Sequence, residues 1–115
     1  MKAKASPEEV LGRIPGPAGE RFAAAMAHGS MTVEYYAPLG HDPQTPHQQD
    51  ELYFIHRGTG ELVIAGDRHA FAPGDCFFVA AGVPHRFERF SADFGTWVVF
   101  WGPDGGESSA PVSGP

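Results

Sequence analysis

Cysteine is nearly absent: the 115 residues contain one, Cys76, which excludes an internal disulfide and any thiolate-rich structural zinc site. Basic residues are also scarce. Lysine and arginine number 8 against 14 aspartates and glutamates, a formal net charge of −6 at pH 7. Nucleic-acid binding needs a clustered positive surface, so that class of partner is not expected. The only close basic pair beyond Lys2 and Lys4 is Arg86 with Arg89, which flanks Glu88 and reads as a solvated or locally paired patch. No apolar run approaches the roughly 20 residues of a membrane span, so a soluble chain without a membrane partner is expected. The start, Met1 to Ala5, runs into Pro7 and Glu8 rather than an apolar stretch, and it lacks the anatomy of a signal peptide. A cytoplasmic location is the default expectation. No internal repeat, phosphate loop, Ser-His-Asp set or paired catalytic carboxylates are legible.

What is present is a globular composition, 42% hydrophobic and 12% aromatic, in a chain of one-domain length. Ser6-Pro7-Glu8-Glu9 offers an N-cap, a proline at the first helical position and early acids, which predicts a short helix from residue 7 to about residue 13. The breaker Ile14-Pro15-Gly16-Pro17 stops it. Ala18 to Ala27 then reads as a second helix ended by His28-Gly29, with Phe22 and Met26 on one side.

From Met31 the pattern becomes extended. Strands are expected at 31–36, 52–55, 61–64, 69–71, 76–79, 85–90 and 97–101, separated by Gly, Pro or Asp, with a tight turn at Ala65-Gly66-Asp67. Cys76 lies in one of these runs and is expected to be a buried small apolar residue. Residues of equal parity share a face of a strand, so His47, Gln49, Glu51 and Tyr53 form one set and His85 and Phe87 another. Two imidazoles and a carboxylate brought to one wall would make a metal site; a metal-free polar interior is the alternative. His28, His41, His56 and His69 read as ordinary polar residues, although His41 precedes His47 in its loop and can bend inward. Val98 and Phe100 alternate with Trp97, Val99 and Trp101, and either set can face in.

Two stretches carry a resemblance. His47-x3-Glu51-x6-Gly58 fits the second half of the first signature motif of the cupin superfamily, and Gly74, Gly82 and His85 fit the second motif. Residues 59–73 separate them, as in compact bacterial members. Thr45 stands where the family usually has its first histidine, Ala80 replaces a proline and Arg89 an asparagine.

The resemblance implies an all-β fold, the cupin double-stranded β-helix or jelly-roll barrel, with short N-terminal helices. Residues 1–30 would form a helical extension, 31–106 the barrel and 107–115 a flexible tail. It also implies one divalent transition metal, Fe, Mn, Ni, Co, Cu or Zn, held by His47, Glu51 and His85. Gln49, or more weakly Thr45, would supply a further ligand or hold a water. Tyr53 and Phe87 would line a cavity for a small organic molecule, or else pack the core. The expected function is a metal-dependent enzyme, an oxygenase or a Lewis-acid isomerase or lyase; the alternative is a binding or sensor module without turnover. Exposed sheet edges predict a homodimer, with the N-terminal segment and first strand covering them.

Overall fold

In the computed structural model, which describes residues 2–108, eight strands and one short helix follow in the order α1 (Pro7–Leu11), β1 (Phe22–His28), β2 (Met31–Tyr36), β3 (Asp50–Arg57), β4 (Gly60–Ile64), β5 (Asp67–Phe71), β6 (Cys76–Val79), β7 (His85–Glu88) and β8 (Gly95–Trp101). They form a five-stranded sheet, β1-β2-β8-β3-β6, and a three-stranded sheet, β5-β4-β7. All strand pairs are antiparallel. The helix is too short to cross a membrane.

Between the sheets lies one aromatic-rich core, in which Tyr53, Ile55, Val98 and Phe100 of the larger sheet meet Leu62, Phe71 and Phe87 of the smaller, with Phe94. The parity argument holds on the central strands because each has one face against this core. Glu51, Tyr53 and Ile55 point in from β3 while Phe54 is exposed, and Thr96, Val98 and Phe100 point in from β8. This settles the open register: Trp97 lies on the outer face, edge-on to Tyr35 with ring centroids 5.1 Å apart. The Ala65-Gly66 turn forms as expected, both residues at positive φ and Ile64 paired with Asp67.

Three expectations are corrected. The segment read as a second helix, Ala18 to Ala27, instead supplies β1, an edge strand whose Phe22 pairs with Tyr36 and whose His28 pairs with Met31 across a turn at Gly29. Its alanines favour a helix locally, but pairing with β2 and burial of Ala23 override that weak preference. The helical extension is therefore confined to Pro7–Leu11, capped by the Ser6 hydroxyl, which accepts from the Glu9 amide at 3.3 Å. Val10, Leu11 and Ile14 pack with Tyr35, Ala37 and Trp97, so this segment covers the outer face of the chain's own sheet. Cys76 is exposed, not buried, because it pairs with Phe54, whose side is the outer one. Glu88 pairs with Arg68 at 2.9 Å rather than with its neighbouring arginines, while Arg89 approaches Glu61 at 3.8 Å.

Beyond β8 the chain lies against the surface. The Glu107 amide donates to Asp50 Oδ2 at 2.9 Å and the Gly105 amide to the Gln48 carbonyl at 2.7 Å. Most of the expected tail, residues 109–115, lies outside the described residues.

Candidate functional site

The site is built where β3 and β7 face one another across the core. Glu51 enters from β3, central in the large sheet between β8 and β6, and His85 enters from β7, paired to β4. Their side chains are each 1% exposed, and His85 Nε2 lies 2.8 Å from Glu51 Oε1. His85 Nδ1 is 2.9 Å from the Val83 carbonyl, which can only accept, so Nδ1 carries a proton and Nε2 is aimed at the carboxylate. Tyr53 Oη lies 3.0 Å from the same Nε2 and donates to Gln44 Oε1 at 3.2 Å.

Protonation follows from these contacts. Burial by itself would lower the His85 pKa, but the Glu51 hydrogen bond, the Val83 carbonyl and the charges of Glu51 and Asp42 together raise it. Burial, reinforced by the Glu51 charge, pushes the Tyr53 hydroxyl well above its ordinary range, so it remains a proton donor. Glu51 Oε2 is buried with no hydrogen-bond partner among the described residues. An ionised oxygen in that position is costly unless a proton or a cation meets it.

His47 comes from the loop before β3, not from the strand. Its ring packs against Phe100 at 4.6 Å and stands 6.3 Å from His85, centroid to centroid. Its carbonyl accepts from the Gly82 amide at 2.8 Å, which ties the first sequence motif to the second. Thr45 and His47 line a cavity of about 330 Å3 with Glu34, Tyr36, Val98 and Phe100. Gln49 is corrected: its amide nitrogen donates to the carbonyls of Ser30 and Gly102 at 3.0 and 2.9 Å, away from Glu51. The parity argument fails there because β3 begins at Asp50 and the preceding loop is not extended. Tyr53 and Phe87 are both fully buried on the inner face, their rings 4.9 Å apart and edge-on.

Sequence reasoning missed Glu34, Asp42 and Gln44. Glu34 shares the inner parity of Tyr36 on β2; a lone carboxylate inside a strand of apolar neighbours was the available signal. Asp42, rather than His41 beside it, turns inward. Its Oδ1 accepts from the Tyr36 hydroxyl and the Gln44 amide, and its Oδ2 from Gln44 Nε2 at 2.8 Å and the Phe87 amide at 2.9 Å. Burial, followed by bonding to Asp42 and the charge of Asp42, raises the Tyr36 pKa far above its usual value. This buried aspartate locks the loop that carries Thr45 and His47 onto β7.

As placed, no three His, Cys, Asp or Glu side chains among the described residues converge in a metal-ligand arrangement. The donor chemistry nevertheless fits a divalent ion: a buried carboxylate oxygen without a partner, an imidazole whose Nδ1 bond turns Nε2 inward, and a second imidazole on the adjoining wall.

Two facing antiparallel sheets with polar side chains gathered at one end of the space between them define a double-stranded β-helix with a cavity at that end. Residues 32–100 match the cupin domain, and the chain belongs to that family. An uncharacterised protein of Streptomyces coelicolor is 38% identical over 63 residues; the match covers 55% of this chain and about 60% of that relative's length. Among solved structures, a Cupin 2 conserved barrel domain protein from Salinispora arenicola is similar over 89% of both chains, at 19% identity and a TM-score of 0.66. The DMSP lyase DddQ from Ruegeria pomeroyi is similar over 86% of this chain and 55% of its own, at 24% identity and a TM-score of 0.60. At these identities the structural likeness establishes the fold alone.

Proposed function

We propose that this cupin is a metal-dependent enzyme acting on a small organic molecule, with one divalent transition ion held by His47, Glu51 and His85. The observation that carries the reading is Glu51 Oε2, fully buried, without a partner among the described residues, beside an imidazole nitrogen directed at the same carboxylate. Such an ion would supply Lewis-acid polarisation or, if it were iron, oxygen activation. The chain's own residues have separate tasks. The Val83 carbonyl fixes the tautomer and direction of His85, and Asp42 fixes the loop bearing His47. Tyr53 keeps its proton at Oη next to the site, 3.0 Å from His85 Nε2. Phe100 and Val98 exclude water from the cavity wall.

The test is metal analysis of the purified protein and of three single variants, His47→Ala, Glu51→Ala and His85→Ala, followed by an oxygen-consumption screen with small enols, phenols and diketones. Stoichiometric metal in the wild type and its loss in each variant, with the fold retained, is expected. Equal metal in all three variants would sink the site. Metal and ligand binding without turnover would assign the chain to the alternative, a sensor or binding module.

We further propose a homodimer. The N-terminal segment packs on its own sheet, and we place the second copy on the outer face near the β6 edge, where Phe54 and Phe78, on adjacent strands, are 43% and 53% exposed.

A further inference from the structure

We propose that the cavity recognises a small organic cation, a protonated amine or quaternary ammonium group, with Glu34 as its counter-charge and Phe22, Tyr36 and Phe100 as its aromatic walls. The inference rests on the preceding reading of this cavity as the ligand site and names the class of ligand it takes.

Glu34 stands on the inner face of β2, between β1 and β8, paired to Ala24 and Val98. It is half-buried and makes no hydrogen bond or ion pair among the described residues. Lysine and arginine are absent from the lining of this cavity, whose other members are Phe22, Tyr36, Pro43, the polar loop side chains Gln44, Thr45 and His47, and Val98 and Phe100. A second carboxylate lies close enough to act on it: Glu51, whose Oε2 is itself buried and unpartnered among the described residues. Burial first, and then the charge of Glu51, raise the Glu34 pKa.

Ligand classes separate on this basis. An anion would enter past the unpaired Glu34, and no lysine or arginine lines the cavity to meet it. A neutral apolar molecule would strip water from Glu34 and return nothing for it. A cation meets the carboxylate on one side and ring faces on the others, and cation–π attraction strengthens as water is excluded. Phe22, 47% exposed, stands at the mouth, where an entering ligand first meets an aromatic face. A cavity of about 330 Å3 limits the ligand to a small molecule.

The test uses three probes of one shape and different charge: choline, its neutral isostere 3,3-dimethylbutan-1-ol, and the anion 3,3-dimethylbutanoate. Affinities are measured by calorimetry or ligand-observed NMR on the metal-loaded protein. Choline is expected to bind roughly tenfold more tightly than the alcohol; the anion is measured on chelator-treated protein, where no metal ligates it, and is expected to bind least there. Glu34→Gln, which preserves shape, should abolish the preference for choline while leaving metal content unchanged. Phe22→Leu, at an exposed position that does not hold the core, should weaken choline several-fold and the alcohol little. Absence of choline binding, equal binding of choline and the alcohol, or an unchanged preference in Glu34→Gln would overturn the proposal. So would loss of metal in Glu34→Gln, which would make Glu34 a metal ligand. Failure of the metal reading shows differently, as metal-free wild type, and the charge preference is then read on that protein.

Discussion

Asp42 gives the sharpest contrast between neighbouring residues. It accepts four hydrogen bonds while buried, so Asp42→Ala would strand the Tyr36 hydroxyl and the Phe87 amide without an acceptor, at a cost on the order of 3 kcal/mol. His41→Ala, at an exposed position, should stay within about 0.5 kcal/mol of wild type. Urea unfolding of both variants checks this; equal stabilities would mean that the loop is not held by Asp42. His85 supports a prediction in pH. Its pKa is raised in the folded protein, so in chelator-treated protein the pair with Glu51 contributes fully below the ordinary imidazole pKa of about 6.5. That contribution is lost as pH rises through the folded value. The midpoint of thermal unfolding should therefore fall on the alkaline side, and Glu51→Gln should flatten the profile. Metal-loaded protein should show the reverse sign, because protons compete with a metal for the imidazoles. Identical profiles with and without metal would argue against His85 as a ligand.

At the scale of elements, the outer face of the large sheet depends on how closely β8 approaches Tyr35. The Tyr35 ring occupies the space a side chain at Gly95 would need, and its hydroxyl lies 2.6 Å from His56 Nδ1. Gly95→Ala would displace Tyr35 from beneath α1 and Trp97, an overpacking cost of about 1–3 kcal/mol. Gly66→Ala, where nothing crowds the added carbon, would strain only the turn. Calorimetric melting of Gly95→Ala tests this, and an unchanged midpoint would mean that Tyr35 has room to move.

For the whole molecule, an open pair of sheets leaves β6 and β1 as edges of the larger one. Phe78 at the β6 edge packs against Trp101 at 6.2 Å yet remains half exposed, and Phe54 lies on the strand beside it. Light scattering at micromolar concentration is expected to give the mass of a dimer, and Phe54→Asp with Phe78→Asp should give a monomer that keeps the cavity. A wild-type monomer would contradict the proposal.

How much of this was legible follows from where each residue sits. Glu51, Tyr53 and Phe87 could be placed inward, and His85 beside them, because a central strand with one buried face obeys a strict period of two. The Ser6 cap, the Ala65-Gly66 turn and the two cupin motifs were equally local. Other features depended on partners distant in sequence. An alanine-rich segment became β1 only through β2, and Cys76 faced outward only through its register with Phe54. Gln49 left the site because loop carbonyls at Ser30 and Gly102 claimed it. Glu34 and Asp42 became site residues only when the sheets faced each other. Parity and turn chemistry are properties of a few consecutive residues, so the sequence by itself determined the strands from Met31 onward and the inward direction of Glu51 and Tyr53. Loop course, edge pairing and the charge of the cavity arise from contacts between segments, and only the tertiary structure decided them.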